Sequence, residues 1–555
     1  MLAGSGKRSF GTLLCAATLG LAACGGDEDE RGGGTVRVAY TSLPNLLDPA
    51  LANMQESWQA LWTVYTPLLT YEHAEGARGA TVVPGLAEKL PAVSADGRVY
   101  RLRLRSGLKY SDGTAVKASD FEHTIKRVLN LESSGASFFE GIAGAQRYIT
   151  ARRATADLAG ITTDDATRDI TIRLTRPDGR FAYILASQYA ALVPSTTPFQ
   201  NRSANPPPGV GPYRLANVRV NRGFELVRVA GFDVPGQAAG KLDRIEVSVV
   251  KDRRRQTQDT IDNKIDYMSD PPAPDQLRAV RGRYGGERYK EVVTNSTFFY
   301  FLNHDVPPFD KPAAREAVNH AIDKRALARL FGGLLEPGCN FLPPDMKGYE
   351  RIDPCPWGDP RAAPDLAKAR ALVKRAGVAG QEVTVWGEQQ PEPKAVAEYL
   401  SDVLNEIGFE ARPRIVASSV YFATIGNRRT RAQAGFANWY QDFPHPANFL
   451  LLVDGASIQP TNSVNLGNVD DPQIDALLDK ANTSADIDAV ADDYAKADRL
   501  VVERAHLVPY GHRKLTVFTS ERVDFDGCTV WHPVYALDFT QLCLKPSTTR
   551  AGAGS

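Results

Sequence analysis

Apolar and polar residues alternate along two short stretches of the chain, a two-residue period typical of β-strands. The first stretch covers residues 35–40 and is followed by a loop with Pro44. In the second, Tyr100, Leu102 and Leu104 alternate with arginines. Because successive side chains of a strand point to opposite faces, the second stretch is predicted to have one apolar face.

A helical period follows the second predicted strand. Residues 111–113 read Ser-Asp-Gly and predict a turn. The apolar residues that then fall on one side of a helix are Phe121, Ile125, Val128 and Leu129. Ser119 and Glu122 have the spacing of a capping box at its start. The region therefore predicts a strand, a turn and a helix within about thirty residues.

Another helix is predicted where the chain reads LAKARALVKRA, at residues 366–376. Pro364 and Asp365 mark its start. Gly377 suits the first position after its end, where a left-handed backbone is common.

The N-terminal residues have the pattern of an export leader. Lys7 and Arg8 provide positive charge, and the apolar residues 10–21 are fewer than the roughly 20 needed to span a bilayer. Residues 19–24 read LGLAAC, which resembles the signal of bacterial lipoproteins. The resemblance implies a signal peptide over residues 1–23 and lipidation of Cys24. The alternative is an ordinary secretory signal with a chance cysteine.

The residues after the leader are expected to form a flexible tether over 24–34. Residues 25–34 read GGDEDERGGG, a glycine-rich and charged composition with nothing to bury. Ten such residues reach about 17 Å. No later segment has 18 uninterrupted apolar residues, so the remaining chain is expected to be soluble.

Six cysteines occur in the chain, of which Cys15 and Cys24 belong to the N-terminal region. The other four allow three pairings, and their positions favour the local pairs Cys339–Cys355 and Cys528–Cys543. Each disulfide would close a loop of about 15 residues and contribute around 3 kcal/mol. The alternative is a four-cysteine metal site, which lacks a CxxC pair and has widely separated halves. We therefore expect no metal.

Composition indicates a globular protein without a nucleic-acid partner. The chain has 65 basic and 65 acidic residues, so no excess positive charge is available for a phosphate backbone. Hydrophobic residues make up 43% of its 555 residues. Since single cores rarely grow beyond roughly 250–300 residues, two or three lobes are expected.

Several sequence blocks carry a family resemblance. The most specific is LRSGLKYSDGTAVKASDFEHTIKR, at residues 104–127. The other blocks are GVGPY at 209–213, LDRI at 242–245, IDNKID at 261–266, the segment 299–323 and WYQDFP at 439–444. In this order they resemble the family 5 extracellular solute-binding proteins, the oligopeptide- and dipeptide-binding receptors of ABC importers. The resemblance covers the chain from about Thr35 to Leu544.

This resemblance implies an α/β, three-lobed fold of the periplasmic-binding-protein type, class II. Two large lobes close over a ligand cleft, and a third lobe enlarges it. The expected boundaries are 35–51, 205–295 and 516–548 for lobe I, 52–204 for lobe II, 296–515 for lobe III, and 549–555 for a disordered tail. The proline-rich residues 201–208 suit a crossing between lobes.

The resemblance also implies a binding residue. In peptide-binding members, the aspartate of the W-x-x-D block takes the ligand's α-ammonium group, and Asp442 matches it. A carboxylate suits this task because charge-assisted hydrogen bonds are about twice as strong as neutral ones. Trp439 would form a wall of the cleft, and the nearby Tyr440 and Tyr421 are further candidates. The alternatives are that Trp439 only packs a core and that Asp442 only caps a turn.

One departure from the family pattern leaves the ligand class open. His445 stands where many members have a second acidic residue, and it is either a ligand contact or a polar loop residue. A peptide is the favoured solute, and an oligosaccharide, a metal chelate or an opine is the alternative. The sequence shows no HExxH, GxSxG or catalytic-cysteine context, so we expect neither an enzyme nor a cofactor. A surface hydrolase or a chaperone-like lipoprotein is the distant alternative.

The family resemblance further implies how the protein is used. A lipid-anchored monomer would capture solute on the outer side of the cytoplasmic membrane, in the periplasm or at the cell surface. It would then close by hinge motion and deliver the solute to the permease and ATPase subunits of an importer.

Overall fold

The structure is a computed structural model, and it describes residues 33–42, 46–151 and 156–546. The predicted leader, Cys24, the tether up to residue 32 and the tail over 549–555 lie outside these residues. Within the described ranges, no helix combines the length and the apolar character needed to cross a membrane.

The described residues contain strands and helices throughout. The strands are β1 (Thr35–Tyr40), β2 (Leu69–Tyr71), β3 (Val82–Pro84), β4 (Ala92–Val93), β5 (Val99–Arg103), β6 (Ile161–Asp164), β7 (Asp169–Arg173), β8 (Tyr213–Arg219), β9 (Gly223–Arg228), β10 (Arg244–Val249), β11 (Tyr267–Met268), β12 (Tyr289–Val293), β13 (Ser296–Leu302), β14 (Leu335–Glu336), β15 (Glu382–Glu388), β16 (Glu410–Val416), β17 (Ala434–Tyr440), β18 (Leu507–Thr519), β19 (Trp531–His532) and β20 (Ala536–Leu537). The helices are α1 (Gln55–Leu61), α2 (Gly76–Gly79), α3 (Ser119–Asn130), α4 (Ala136–Phe139), α5 (Ala145–Ala151), α6 (Phe181–Leu185), α7 (Arg253–Ile261), α8 (Pro274–Tyr284), α9 (Pro312–Ala321), α10 (Lys324–Leu330), α11 (Leu366–Ala376), α12 (Pro391–Ile407), α13 (Ser418–Ile425), α14 (Ala447–Leu450), α15 (Pro472–Asn482), α16 (Ala491–Glu503) and α17 (Phe525–Cys528). Short 3-10 helices lie at Gln188–Ala190, Arg428–Thr430, Gly455–Ser457 and Asp488–Val490.

Twelve strands form one large mixed sheet. Its main path runs β16-β15-β17-β13-β18-β11-β1-β10-β9-β8, and β12 and β14 also pair with β18. The pairs β1 with β10 and β15 with β16 are parallel, whereas β13 pairs antiparallel with both β17 and β18. A smaller antiparallel sheet has the order β4-β5-β7-β6. The predicted α/β class is confirmed.

Strand β18 joins two hydrophobic cores. Its first half pairs with β13 at residues 507–511, and its second half pairs with β12 at residues 514–518. One core contains buried residues of β1, β5, β10 and the C-terminal segment, and the other contains those of β13, β15, β17 and α12. The chain therefore passes between the cores at residues 294–296 and again within β18. The predicted lobe boundaries remain a prediction.

The predicted local elements are confirmed, apart from one cap. Strands β1 and β5 and helix α3 occur where the sequence places them, and α3 buries its predicted apolar face. The capping box at Ser119 and Glu122 is wrong. The N–H and the hydroxyl of Ser119 both donate to Asp165, at 2.8 and 3.0 Å, and Glu122 pairs with Lys126. A carboxylate distant in sequence thus replaces the local cap.

Helix α11 has both predicted ends. The Asp365 carboxylate accepts a hydrogen bond of 2.9 Å from the Lys368 N–H. Gly377 follows the helix with a φ of 64°, a left-handed backbone that glycine adopts without a steric penalty.

The structure pairs the four remaining cysteines locally. Cys339 is bonded to Cys355 and Cys528 to Cys543, with Cα separations of 5.9 and 5.5 Å. Because each sulfur is already bonded, these residues offer no thiolates to a metal ion, and the four-cysteine metal site is excluded.

Candidate functional site

A cavity of about 640 Å³ lies between the two cores. Residues from two segments line it on the side of the first core, namely 53–56, 58 and 59 and then 531, 533, 534 and 536. Residues 438–442 line it from the end of β17. Thr294, Asn295 and Leu515 line it from the two connecting segments, and Tyr267, residues 269–271 and Phe422 complete the lining. A movement of one core relative to the other would therefore change the shape of this cavity directly.

Asp442 lies in the cavity wall, two residues after the end of β17. Its side chain is half-buried, and its Oδ2 accepts a hydrogen bond of 2.9 Å from Asn448 Nδ2. Burial raises the pKa of the Asp442 carboxyl, and the hydrogen bond from Asn448 opposes this effect. Among the described residues, no lysine, arginine or histidine forms an ion pair with Asp442. The carboxylate therefore has capacity left to accept a cation.

Trp439 contacts both the cavity and the second core. It lines the cavity on one side, and on the other its half-buried ring packs against the residues of that core. Its Nε1 lies 3.3 Å from Asn448 Oδ1. The wall role and the packing role, which the sequence treats as alternatives, are thus compatible for this side chain.

The two candidate tyrosines differ in position. Tyr440 is 42% exposed and lines the cavity. Tyr421 is fully buried outside the cavity lining, and its hydroxyl donates to the carbonyls of Phe436 and Trp386 at 2.7 and 3.1 Å. The expected ligand contact of Tyr421 is therefore corrected to a core position. Its neighbour Phe422, which is 44% exposed, lines the cavity instead because consecutive residues of helix α13 point in different directions.

His445 is buried behind the cavity rather than in its lining. Its ring lies 5.0 Å from that of Tyr183, and its Nδ1 accepts a hydrogen bond of 3.2 Å from the Ala447 N–H. Burial, reinforced by the Arg180 charge, lowers the pKa of His445 to about 3. The residue is therefore neutral at physiological pH. Its position corresponds to the predicted loop residue and not to a ligand contact.

Two further carboxylates that sequence reasoning missed line the cavity. Asp270 accepts hydrogen bonds from the N–H and the hydroxyl of Thr41, at 2.7 and 2.8 Å. Glu56, in the first turn of α1, is half-buried, and burial, with the nearby Asp270 charge adding to it, raises its pKa. Neither residue lies in a recognisable motif. The two are distant in sequence, and the fold of the chain brings them together in the cavity wall.

Aromatic rings form much of the remaining wall. Besides the tryptophan and tyrosine of the W-x-x-D block, they are Trp58, Tyr267, Phe422 and Trp531. A smaller cavity of about 180 Å³ adjoins the first and shares Phe422, Asn438 and Trp439 with it. Acidic groups beside aromatic and apolar walls suit a ligand that has both a cation and apolar parts.

Residues from the predicted lobes II and III contact each other directly. The Gly179 N–H donates to the Asn482 carbonyl at 2.8 Å. The rings of Phe138 and Phe443 meet edge to face with centroids 5.6 Å apart. These contacts hold the two parts of the chain together.

Comparisons with known proteins identify relatives over most of the chain. Residues 81–460 match the model of the bacterial extracellular solute-binding proteins, family 5 Middle. The chain is 23% identical over 525 residues to the dipeptide-binding protein DppE of Bacillus subtilis, covering 89% of each protein. It is 24% identical over 479 residues to the periplasmic murein peptide-binding protein MppA of Escherichia coli, covering 84% of this chain and 85% of that one.

The fold also matches solved structures. The clavulanic acid biosynthesis oligopeptide binding protein 2 superimposes with a TM-score of 0.83 at 27% sequence identity. The match covers 93% of this chain and 96% of that chain. The expected periplasmic-binding-protein-like fold is thereby confirmed.

Proposed function

Because the chain belongs to the family 5 bacterial extracellular solute-binding proteins, we propose that it captures peptides outside the cytoplasm for an ABC importer. The proteins of this family bind solutes and are not enzymes. Relatives named for dipeptide and murein-peptide binding match over more than four fifths of the chain, which supports a peptide as the solute.

The observation that carries the proposal is the state of Asp442. Its carboxylate lines the cavity, has one amide donor, and has no cationic partner among the described residues. A partly buried carboxylate without a counter-charge is costly, and the α-ammonium group of a peptide would supply that charge together with N–H donors. We assign this anchoring role to Asp442.

The other walls would hold the peptide with little sequence selectivity. Trp439 and Tyr440 offer aromatic surface, and Asn438 and Asn295 offer amide groups for main-chain hydrogen bonds. The cavity of about 640 Å³ leaves room for water around the ligand side chains. Affinity would then come mainly from the terminal charge and the main chain.

Capture would proceed by closure of the lobes around the two connecting segments. These segments run side by side, since the Thr294 N–H donates to the Arg513 carbonyl at 2.8 Å and the Arg513 N–H donates to Ser296 Oγ at 3.0 Å. A few residues at such positions can absorb a hinge rotation. The contact between Gly179 and Asn482 would form in the closed state and separate when the cleft opens.

Delivery and anchoring complete the proposal. The lipoprotein-like signal before Cys24 supports a lipid anchor that keeps the monomeric receptor on the outer side of the cytoplasmic membrane. The closed, loaded form would dock on the permease subunits of the importer, and the ATPase subunits would drive transport.

Thermal unfolding with peptide pools tests this function. Ligand at 100 times its dissociation constant stabilises a protein by about 2.7 kcal/mol. We expect pools of short peptides with free amino ends to raise the unfolding temperature and the same pools, N-acetylated, to leave it unchanged. Equal stabilisation by both pools would contradict the role of Asp442. If neither pool had an effect, peptide capture would be contradicted in favour of another solute.

A further inference from the structure

The charges of the cavity wall are all of one sign. Three carboxylates line it, those of Glu56, Asp270 and Asp442. None of its described lining residues is a lysine, an arginine or a histidine. A peptide that brings only one α-ammonium group would therefore leave most of this negative charge uncompensated.

The three carboxylates are not equally available to a ligand. Both oxygens of Asp270 are engaged by Thr41, and Asp442 is held by Asn448. Glu56 has no ion-pair partner among the described residues, and the hydrogen bond to its carboxylate comes from its own backbone N–H, although the residue is half-buried. It also lies on a different element, α1, from Asp442. Besides Asp442, Glu56 is thus the carboxylate that would stabilise a bound cation most.

We propose that the cleft selects peptides with a basic side chain and that Glu56 receives that side chain. The inference rests on the proposed function and extends it from peptides in general to cationic peptides. With Asp442 holding the α-ammonium group, a lysine or arginine side chain at Glu56 would relieve the repulsion between carboxylates in a poorly solvated site. Aromatic residues of the same lining, such as Trp58 and Tyr440, add favourable surface for the cation.

The same charge pattern discriminates against acidic ligands. An aspartate or glutamate side chain in the cavity would meet carboxylates and find no described basic residue in the lining. Like charges brought together in this way disfavour the wrong partner, in addition to the attraction that favours the right one. Selectivity would therefore come both from attraction of basic side chains and from repulsion of acidic ones.

Calorimetric titration with matched tripeptides tests the inference. The probes are Lys-Ala-Ala, Ala-Lys-Ala and Ala-Ala-Lys, each paired with the tripeptide in which norleucine replaces lysine. We expect at least one lysine peptide to bind about tenfold more tightly than its norleucine partner. In Glu56→Gln that ratio should fall below about threefold while the affinity for the norleucine peptide stays unchanged.

The control variant is Glu287→Gln, which removes an exposed glutamate outside the cavity lining and should keep the full lysine preference. Equal affinity for lysine and norleucine peptides would overturn this inference and leave peptide capture intact. A lysine preference that survives in Glu56→Gln would overturn the assignment to Glu56. Failure of all six peptides to bind would overturn the proposed function and this inference with it.

Discussion

Asn448 holds Asp442 by two hydrogen bonds: its Nδ2 donates to Asp442 Oδ2 at 2.9 Å, and its Oδ1 accepts the Asp442 N–H at 2.8 Å. The same Oδ1 lies 3.3 Å from Trp439 Nε1. Asn448 is almost completely buried, so these bonds are shielded from water. One side-chain amide therefore positions both the proposed anchor and the aromatic wall beside it.

Removal of this amide should weaken both stability and binding. In Asn448→Ala, the backbone N–H of Asp442 and the indole N–H of Trp439 lose their acceptor. Each unsatisfied buried donor costs about 1–3 kcal/mol. We expect a lower free energy of unfolding in urea and a weaker affinity for peptides with a free amino end. An unchanged denaturation midpoint together with unchanged affinity would show that Asn448 does not position Asp442.

Peptide binding should depend on pH through Asp442. Burial raises the pKa of this carboxyl in the unliganded protein, and the α-ammonium group binds only to the ionised form. Affinity should therefore be constant near neutral pH. It should fall on acidification at a higher pH than the ordinary aspartate pKa of about 3.9 would give. Calorimetric titrations from about pH 7.5 to pH 4 check this, and a flat profile would contradict it.

The Asp442 carboxyl should also make the stability of the fold depend on pH. On acidification its effect on stability should be favourable, whereas its effect on peptide affinity is unfavourable. Because its pKa is higher in the folded than in the unfolded state, its contribution to stability is fully present below the unfolded pKa and is lost as the pH rises through the folded pKa. The difference in unfolding free energy between the wild-type protein and Asp442→Asn isolates this contribution. We expect the unfolding free energy of the wild-type protein to rise relative to that of the variant as the pH falls.

Closure should be sensitive to one glycine. A Cβ atom on Gly179 would collide with the backbone carbonyl of Ser484, which belongs to the opposing part of the chain. Gly179→Ala should therefore hinder closure and weaken peptide affinity about tenfold or more, with little change in the unfolding midpoint. The matched control is Gly141→Ala, because a Cβ there meets no atom within 4 Å. Equal affinity of the two variants would argue against closure at this contact.

The disulfides should stabilise the fold without taking part in binding. Cys339 and Cys355 are 16 residues apart in sequence, and none of the four cysteines lines the cavity. Replacing both residues by serine should lower the free energy of unfolding by about 3 kcal/mol, the loop-closure value for this length. Peptide affinity, measured at a temperature where the variant is folded, should be unchanged. A large loss of affinity would indicate that this loop supports the cleft.

The sequence predicts local elements and the family block better than it predicts the cleft. Periodicity locates β1, β5, α3 and α11, because each depends on neighbouring residues alone. The W-x-x-D block also locates two residues of the cavity wall. Trp439 is near the end of β17 and Asp442 lies two residues beyond that end, so one short block fixes both positions.

Residues that reach the cleft through long-range topology are not predictable in this way. Glu56 and Asp270 are 214 positions apart and carry no motif, yet both line the cavity. Tyr421 and Phe422 show a second limit, since proximity to the block does not decide which of two adjacent helical side chains faces the ligand. The cap at Ser119 shows the same effect on a smaller scale, because Asp165 arrives from another strand region.

A double-mutant cycle tests the central claim most directly. Calorimetry measures the affinity of the wild-type protein and of Asp442→Asn for Ala-norleucine-Ala and for its N-acetylated form. Asp402→Asn serves as the control because Asp402 is exposed and lies outside the cavity lining. We expect acetylation to weaken binding to the wild-type and control proteins by about 2 kcal/mol or more and to have little effect on Asp442→Asn. If acetylation of the peptide and the Asp442→Asn substitution had additive effects on the binding free energy, Asp442 would not receive the α-ammonium group.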